Sequence, residues 1–268
     1  MMRLWGKWAL SSVWKIVLAM AALSGLVLVA QLVAYELRTS DYQARFFAGL
    51  ASKASYTVEA GPSPSIRFPQ SAPYDDRFGY SGLPDFLGKL KTQDFEVARQ
   101  ARISTGMAEI VDAGYFAPYL EKTQSGLSIL DCRNESLFLE RYPKRVYQRF
   151  DGIAPVLVQS LLFIENRNLL DERYPERNPA VEWSRLANAV LFKAASTLTG
   201  DSRSPGGSTL ATQMEKYRHS PEGRTSSIQE KLQQMWSAAL RAYLQGEDTS
   251  AVRRQIVLSY MNTMPLSA

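Results

Sequence analysis

The stretch SPGGSTLATQMEKYRHSPEGR, residues 204–224, decides how the second half of this chain is read. Gly206 and Gly207 precede two hydroxyl side chains, Ser208 and Thr209, and then LATQMEKYR, a helical-looking run. Free backbone N–H groups and hydroxyls would therefore converge at a helix start, an arrangement that suits an anion. Lys216, Arg218 and Arg224 add cations within nine residues, enough for a diphosphate. The glycine spacing and the missing Lys-Ser/Thr ending exclude a P-loop. Taken alone, a Gly-Gly-Ser-Thr turn fits an ordinary flexible loop equally well, so its neighbours must decide.

Those neighbours read as helices. DGIAPVLVQSLLFIENRNLL (151–170) offers Asp151 as a cap and Pro155 in a first-turn position, followed by apolar residues spaced for a buried helix. EWSRLANAVLFKAAS (182–196), SSIQEKLQQMWSAALRAYL (226–244) and SAVRRQIVLSYMN (250–262) follow as three more. In the third helix Ile228, Leu232, Met235, Ala239 and Tyr243 form one apolar stripe, expected to face the core.

Glu165 stands directly after Leu161, Leu162, Phe163 and Ile164. At the end of an apolar helix, on the wall of a cleft, a partly desolvated carboxylate suits a general base. The plainer alternative is a surface glutamate paired with Arg167 or Arg173.

Order and spacing favour the first reading. IENRNLLDERYPERNPAVEWSRLANA, GGSTLATQMEK, EKLQQMWSAALRAYL and RQIVLSYMN, in this order, resemble the serial motifs of the peptidoglycan glycosyltransferases, glycosyltransferase family 51. These are the transglycosylase domains of monofunctional enzymes and of class A penicillin-binding proteins. The resemblance implies a mainly helical, lysozyme-like domain that polymerises lipid II into glycan strands in bacterial cell-wall biogenesis, with undecaprenyl diphosphate as leaving group. It implies Glu165 as the base that takes the proton from the acceptor hydroxyl. Gly206, Gly207, Ser208, Thr209 and Gln213 match the donor-site element, Lys216 the lysine after it, and Lys231 the basic residue of the Arg-Lys motif. Arg218, Arg224 and Gln234 join them as candidate diphosphate contacts, and Tyr260 and Asn262 match the Tyr-x-Asn motif.

The departures are specific. The usual Glu-Asp pair is Glu165-Asn166, the usual Gln-Gln is Thr212-Gln213, and Glu230 replaces the arginine beside Lys231. Gln234 stands where the family has a second glutamate, which helps stabilise the diphosphate directly or through a divalent metal. Mg²⁺ is the cofactor implied, with one carboxylate ligand missing. Three readings follow: a glycan polymerase, a catalytically impaired scaffold that keeps the lipid-diphosphate cleft, and a lysozyme-like glycoside hydrolase. The last needs a second carboxyl, for which Glu172, Glu176 and Glu182 are candidates.

The N-terminal part adds a membrane. Ile16 to Val33 contain no charge, and ~20 such residues span a ~30 Å hydrocarbon core. The small residues Ala19 to Ala22 lie inside the run instead of after it, favouring an uncleaved anchor over a signal peptide. Arg3, Lys7 and Lys15 precede it, which puts the N-terminus inside and the bulk of the chain outside the bacterial cytoplasmic membrane. Trp5, Trp8, Trp14 and Tyr35 are candidate interface anchors. The organisation expected is a tail at 1–12, an anchor at 13–35, a helical stalk and linker at 36–65, a small α+β module at 66–145 and a C-terminally incomplete glycosyltransferase domain at 146–268. Within the module, LPDFLGKL reads as a short helix, FEVARQARIS as a strand, and LSILDCRNESLFLE as two strands around an Asn-Glu-Ser turn.

Composition bounds the rest. A net charge of +5 in 268 residues is modest. One cysteine, Cys132, excludes an intrachain disulfide and reads as a buried or half-buried small hydrophobe. One histidine, His219, reads as structural or phosphate-neighbouring. The expected partners are lipid II, the growing glycan strand, the membrane and other cell-wall synthesis proteins. Nucleic acid is not among them, because the basic loop has no interleaved aromatic platform.

Overall fold

A computed structural model describes residues 5–64, 72–189, 192 and 207–265. Gly206, Ser65 and most of the second half of the 182–196 helix lie outside the described residues, as do the side chains of Arg3, Trp5, Lys7 and Trp8. The described chain is mainly helical, with two small antiparallel sheets.

The first helix, α1, runs Trp5–Thr39. Its segment Trp14–Thr39 has a mean hydropathy of 2.5 and no burial against the rest of the chain, so it is long and apolar enough to cross a membrane. Ser40, in the left-handed region at φ 60°, turns the chain into α2, Asp41–Ala51. The Glu36 carboxylate, at the end of α1, accepts from the free N–H groups of Tyr42 and Gln43 and so caps the start of α2.

The expected helical stalk is therefore not one element. α2 buries Ala44, Phe47 and Ala51 in the main core, and Phe47 lies 5.1 Å from the Trp236 ring and 6.0 Å from Tyr243. Residues 56–60 form β1, Tyr56–Ala60, paired with β2, Arg99–Ile103, with Tyr56 opposite Ile103. Between these strands lie α3, Pro73–Arg77, and α4, Leu83–Lys91; α5, Thr105–Asp112, follows β2 and is capped by Ser104 accepting from the Met107 N–H. Pro84 begins α4 as its sequence predicts, because a first-turn N–H has no intrahelical partner to lose.

The hairpin β3, Ser125–Leu130, and β4, Ser136–Tyr142, pairs Ile129 with Phe138. Its turn is Asp131–Glu135, earlier than the expected Asn-Glu-Ser, because the Asp131 carboxylate accepts from the N–H groups of Arg133 and Glu135 while Asn134 takes φ 63°. Cys132, at this tip, is exposed; it is not the buried hydrophobe that its apolar neighbours suggest.

The second half contains α6, Pro155–Glu165, α7 at 183–189, α8, Leu210–His219, α9, Ile228–Ala242, and α10, Ser250–Thr263. Asp151 lies in a short 3-10 turn and Ala154 holds the cap position of α6. α8 is the hub. Ala211 joins the core built with α2 and α9; Leu210 and Met214 join Val158, Leu162 and Val257 of α6 and α10; Tyr217 joins Tyr74 of α3 and Phe78 just after it. A helix buried on most of its circumference holds its few cleft-facing residues in fixed positions.

Candidate active site

Glu165 is the last residue of α6 and is half-buried. The chain leaves the helix at Asn166 (φ −162°), which is itself buried and donates its N–H to the Leu162 carbonyl. Neither arginine offered as a surface partner takes Glu165. Arg167 donates to the Phe163 carbonyl, and Arg173 chelates Asp171. The carboxylate instead accepts a 2.6 Å hydrogen bond from Gln213 Nε2, across from α8.

Gln213 is held in turn. Tyr260 of α10 donates its hydroxyl proton to Gln213 Oε1 at 3.1 Å. An ionised carboxylate can only accept, so Gln213 must present its amide NH₂ to Glu165 and its carbonyl to Tyr260. Burial, with the nearby Glu165 charge, pushes the Tyr260 phenol up and keeps its proton in place. Three elements thus fix one carboxylate, and its loop is fixed by a fourth contact set. Buried Arg253 of α10 donates to the carbonyls of Leu169, Asp171, Tyr174 and Pro175, all in the segment that follows Glu165. Sequence reasoning missed Arg253. Its signal was phase, since it lies four and seven residues before the buried Val257 and Tyr260.

One turn on from Gln213, Lys216 occupies the same face of α8. It neighbours Lys231 of α9, whose ammonium is pulled down to about 8 by burial and by the Lys216 charge. Lys231 Nζ donates to Ser208 Oγ at 2.6 Å. One face of α8 thus carries both Gln213, which holds the Glu165 carboxylate, and Lys216, which forms a lysine wall with Lys231 and the Ser208 hydroxyl.

The other expected contacts are arranged differently. Thr209 is fully buried as the cap of α8: its Oγ1 accepts from the Thr212 N–H and donates to the Ala180 carbonyl, while Thr212 Oγ1 accepts from its N–H. Gly207 packs against α7, and a Cβ there would meet Ala189 Cβ at 3.4 Å. Arg218 lies two residues from Lys216, about 200° around the helix, and points into the protein. There it sits 3.5 Å from the buried Glu215, which also binds Arg241 Nε at 2.7 Å and lies 3.4 Å from His219. Arg218 is thus an internal charge and not part of the lysine wall. His219 stacks on Phe116 at 4.2 Å, a structural position. Arg224 is exposed and 4.0 Å from Glu222. Asn262 donates to the Tyr147 carbonyl and accepts from its N–H, tying α10 to the approach to α6.

Gln234 is fully buried. Its Nε2 donates to Ser220 Oγ at 2.9 Å, and its Oε1 accepts from Thr225 Oγ1 at 3.1 Å. Burial opposes the charge on neighbouring Glu230, but hydrogen bonds from Ser220 and Ser226 hold that carboxyl below its usual range. Among the described residues no group of three or more His, Cys, Asp or Glu side chains converges as a metal site. Gln234 is uncharged and its amide is already bonded to hydroxyls, so it supplies no carboxylate for the Mg²⁺ that the resemblance implies. No step is assigned to a metal.

Of the carboxyls offered for a hydrolase, Glu172 makes an exposed 2.5 Å ion pair with Arg254. Glu182 is buried beside Asn166 and Arg253, with its Oε2 lacking a hydrogen-bond partner among the described residues.

A carboxylate held by a neighbouring amide, on a helical scaffold that also carries Lys216 and Lys231, is an arrangement able to accept a proton near an anionic group. The model of the transglycosylase family matches residues 134–268, half of the chain, and the chain belongs to that family. No curated protein and no solved structure matches it. The domain is a lysozyme-like peptidoglycan glycosyltransferase domain, and with α1 it makes a single-pass membrane protein.

Proposed function

We propose that this chain polymerises lipid II with inversion at the donor sugar, Glu165 acting as general base. Glu165 takes the proton of the acceptor 4-hydroxyl as that oxygen attacks the anomeric carbon of the growing chain. The bond from that carbon to the diphosphate breaks, and its electron pair leaves with undecaprenyl diphosphate. Lys216 and Lys231 neutralise the departing oxygens, and Ser208 orients Lys231. Gln213 keeps the carboxylate aimed, with Tyr260 holding the amide carbonyl. The N-terminus lies inside the bacterial cytoplasmic membrane and the domain outside, beside its lipid substrate.

The observation that carries this reading is the Glu165–Gln213 hydrogen bond at 2.6 Å, one helical turn from Lys216. Steady-state polymerisation of lipid II in detergent micelles tests it: the protein is expected to make glycan strands, and Glu165→Gln to make none. A second reading, a lipid-diphosphate-binding scaffold, draws on Gln234, which leaves the site without a second carboxylate. Binding of lipid II without polymerisation by the native protein would select it.

A further inference from the structure

A second cavity lies away from the lysine wall. It has a volume of ≈ 490 Å³ and opens between β1 and β2, α3, the 115–121 segment and the C-terminal end of α8. That size is ordinary for a small-ligand site. Its walls carry the rings of Tyr56, Tyr80, Tyr115 and Phe116, and its polar groups include Asp75, Glu121, Arg218 and His219. Arg218 is 5% exposed, and its Nε has no hydrogen-bond partner among the described residues.

The chemistry of the lining narrows the ligand. An anion would be repelled by the two carboxylates, and the Arg218 guanidinium sets a hydrogen-bond donor among these acceptors. A lipid tail would offer no hydrogen bond to these polar groups. A neutral polyol with an apolar ring face meets every requirement: its C–H face lies on the aromatic rings, and its hydroxyls donate to carboxylates and accept from a guanidinium. We propose that this cavity is a saccharide-binding site for a β-linked amino-sugar oligosaccharide. The choice of sugar rests on the reading of the chain as a glycan polymerase; the existence of the site does not.

Its position gives such a site a use. His219 also lines the cavity, and it lies six residues beyond Gln213, about 9 Å along α8 at ~1.5 Å per residue. A glycan strand anchored here would be held on the same helix that carries the base-orienting amide, and would be retained between successive additions.

The test uses the full chain in detergent micelles and chitotetraose as the probe, with affinity measured by isothermal titration calorimetry. Tyr56 is 52% exposed in β1, so Tyr56→Ala removes a ring without opening a core, and Glu121→Gln removes a charge at nearly constant volume. Both are expected to weaken binding at least tenfold, and Glu165→Gln to leave it unchanged. Absence of binding to the native protein overturns the proposal, as does a loss of affinity in Glu165→Gln with none in the other two. Binding with this pattern in a protein that fails to polymerise lipid II would keep the site and reject the polymerase reading.

Discussion

Gln213 Nε2 lies 2.6 Å from Glu165 Oε2, and this hydrogen bond joins α8 to the end of α6. α6 supplies the carboxylate, which sets the sense of the amide, α8 supplies the amide, and the Tyr260 hydroxyl holds the amide carbonyl from the other side. The amide positions the base and the phenol positions the amide.

Tyr260→Phe removes the donor that locks Gln213 while keeping the ring in the core. Glu165 still sets the sense of the amide, but the Gln213 carbonyl loses its donor and the side chain is held from one side only. Losing one such hydrogen bond is worth ~1 kcal/mol, so kcat is expected to fall about 5- to 10-fold with KM nearly unchanged. Steady-state lipid II polymerisation measures the split; a rise in KM at constant kcat would assign Tyr260 to substrate binding instead.

Lys231 gives the activity an alkaline limit. Its pKa in the free protein is lowered to about 8, so its charge is present below that pH and lost above it. kcat/KM is expected to decline with an inflection near pH 8, where diphosphate attraction weakens. Lys231→Arg, whose guanidinium stays protonated throughout this range, should shift the decline to higher pH. A native pH profile flat to pH 10 would remove Lys231 from the diphosphate site.

Glu215 holds two guanidiniums inside the protein. Burial acts to raise its pKa, yet Arg241, His219 and Arg218 together hold it well below the usual carboxylate range. A depressed folded pKa means that the stabilisation is complete above the unfolded carboxyl value and is lost as pH falls through the folded one. Glu215→Gln leaves Arg218 and Arg241 without a counter-charge and is expected to cost ~3–5 kcal/mol. Denaturant titration followed by circular dichroism reads both the loss at pH 7 and the weaker acid dependence of the variant.

Gln234→Glu separates a buried structural amide from a vacant metal ligand. A carboxylate there would lose the Nε2 donor to Ser220 and lie beside Glu230, so stability is expected to drop ~1–3 kcal/mol. Sensitivity of polymerisation to a chelator should not increase. A chelator-sensitive gain in activity would show that position 234 reaches the diphosphate.

The helices α6, α8, α9 and α10 were legible because apolar periodicity and capping residues are local signals. The phase of α9 was not. Ile228 and Leu232 are 75% and 59% exposed, while Gln234 and Ser237 turn inward, because the Ser220 hydroxyl and the Phe116 N–H on other segments satisfy polar side chains that hydropathy assigns to the surface. The same blindness affected Arg218, whose burial depends on Glu215 and Arg241. α2 read as a stalk because its partners for Phe47, Trp236 and Tyr243, lie nearly 200 residues away. Motif order brought Glu165, Gln213, Lys216, Lys231 and Tyr260 onto one list. Only the fold separated those that share a wall from Thr209 and Gln234, which hold that wall together.

Glu165→Gln tests the central claim most directly. The substitution keeps the volume and a hydrogen-bonding head group beside Gln213 but cannot accept the acceptor-sugar proton. Lipid II polymerisation by the full chain in micelles, followed by gel separation of glycan strands, is expected to fall by at least ~10²-fold, the usual contribution of a positioned base. Equal rates for the native protein and the variant would contradict the assignment of Glu165 as the base.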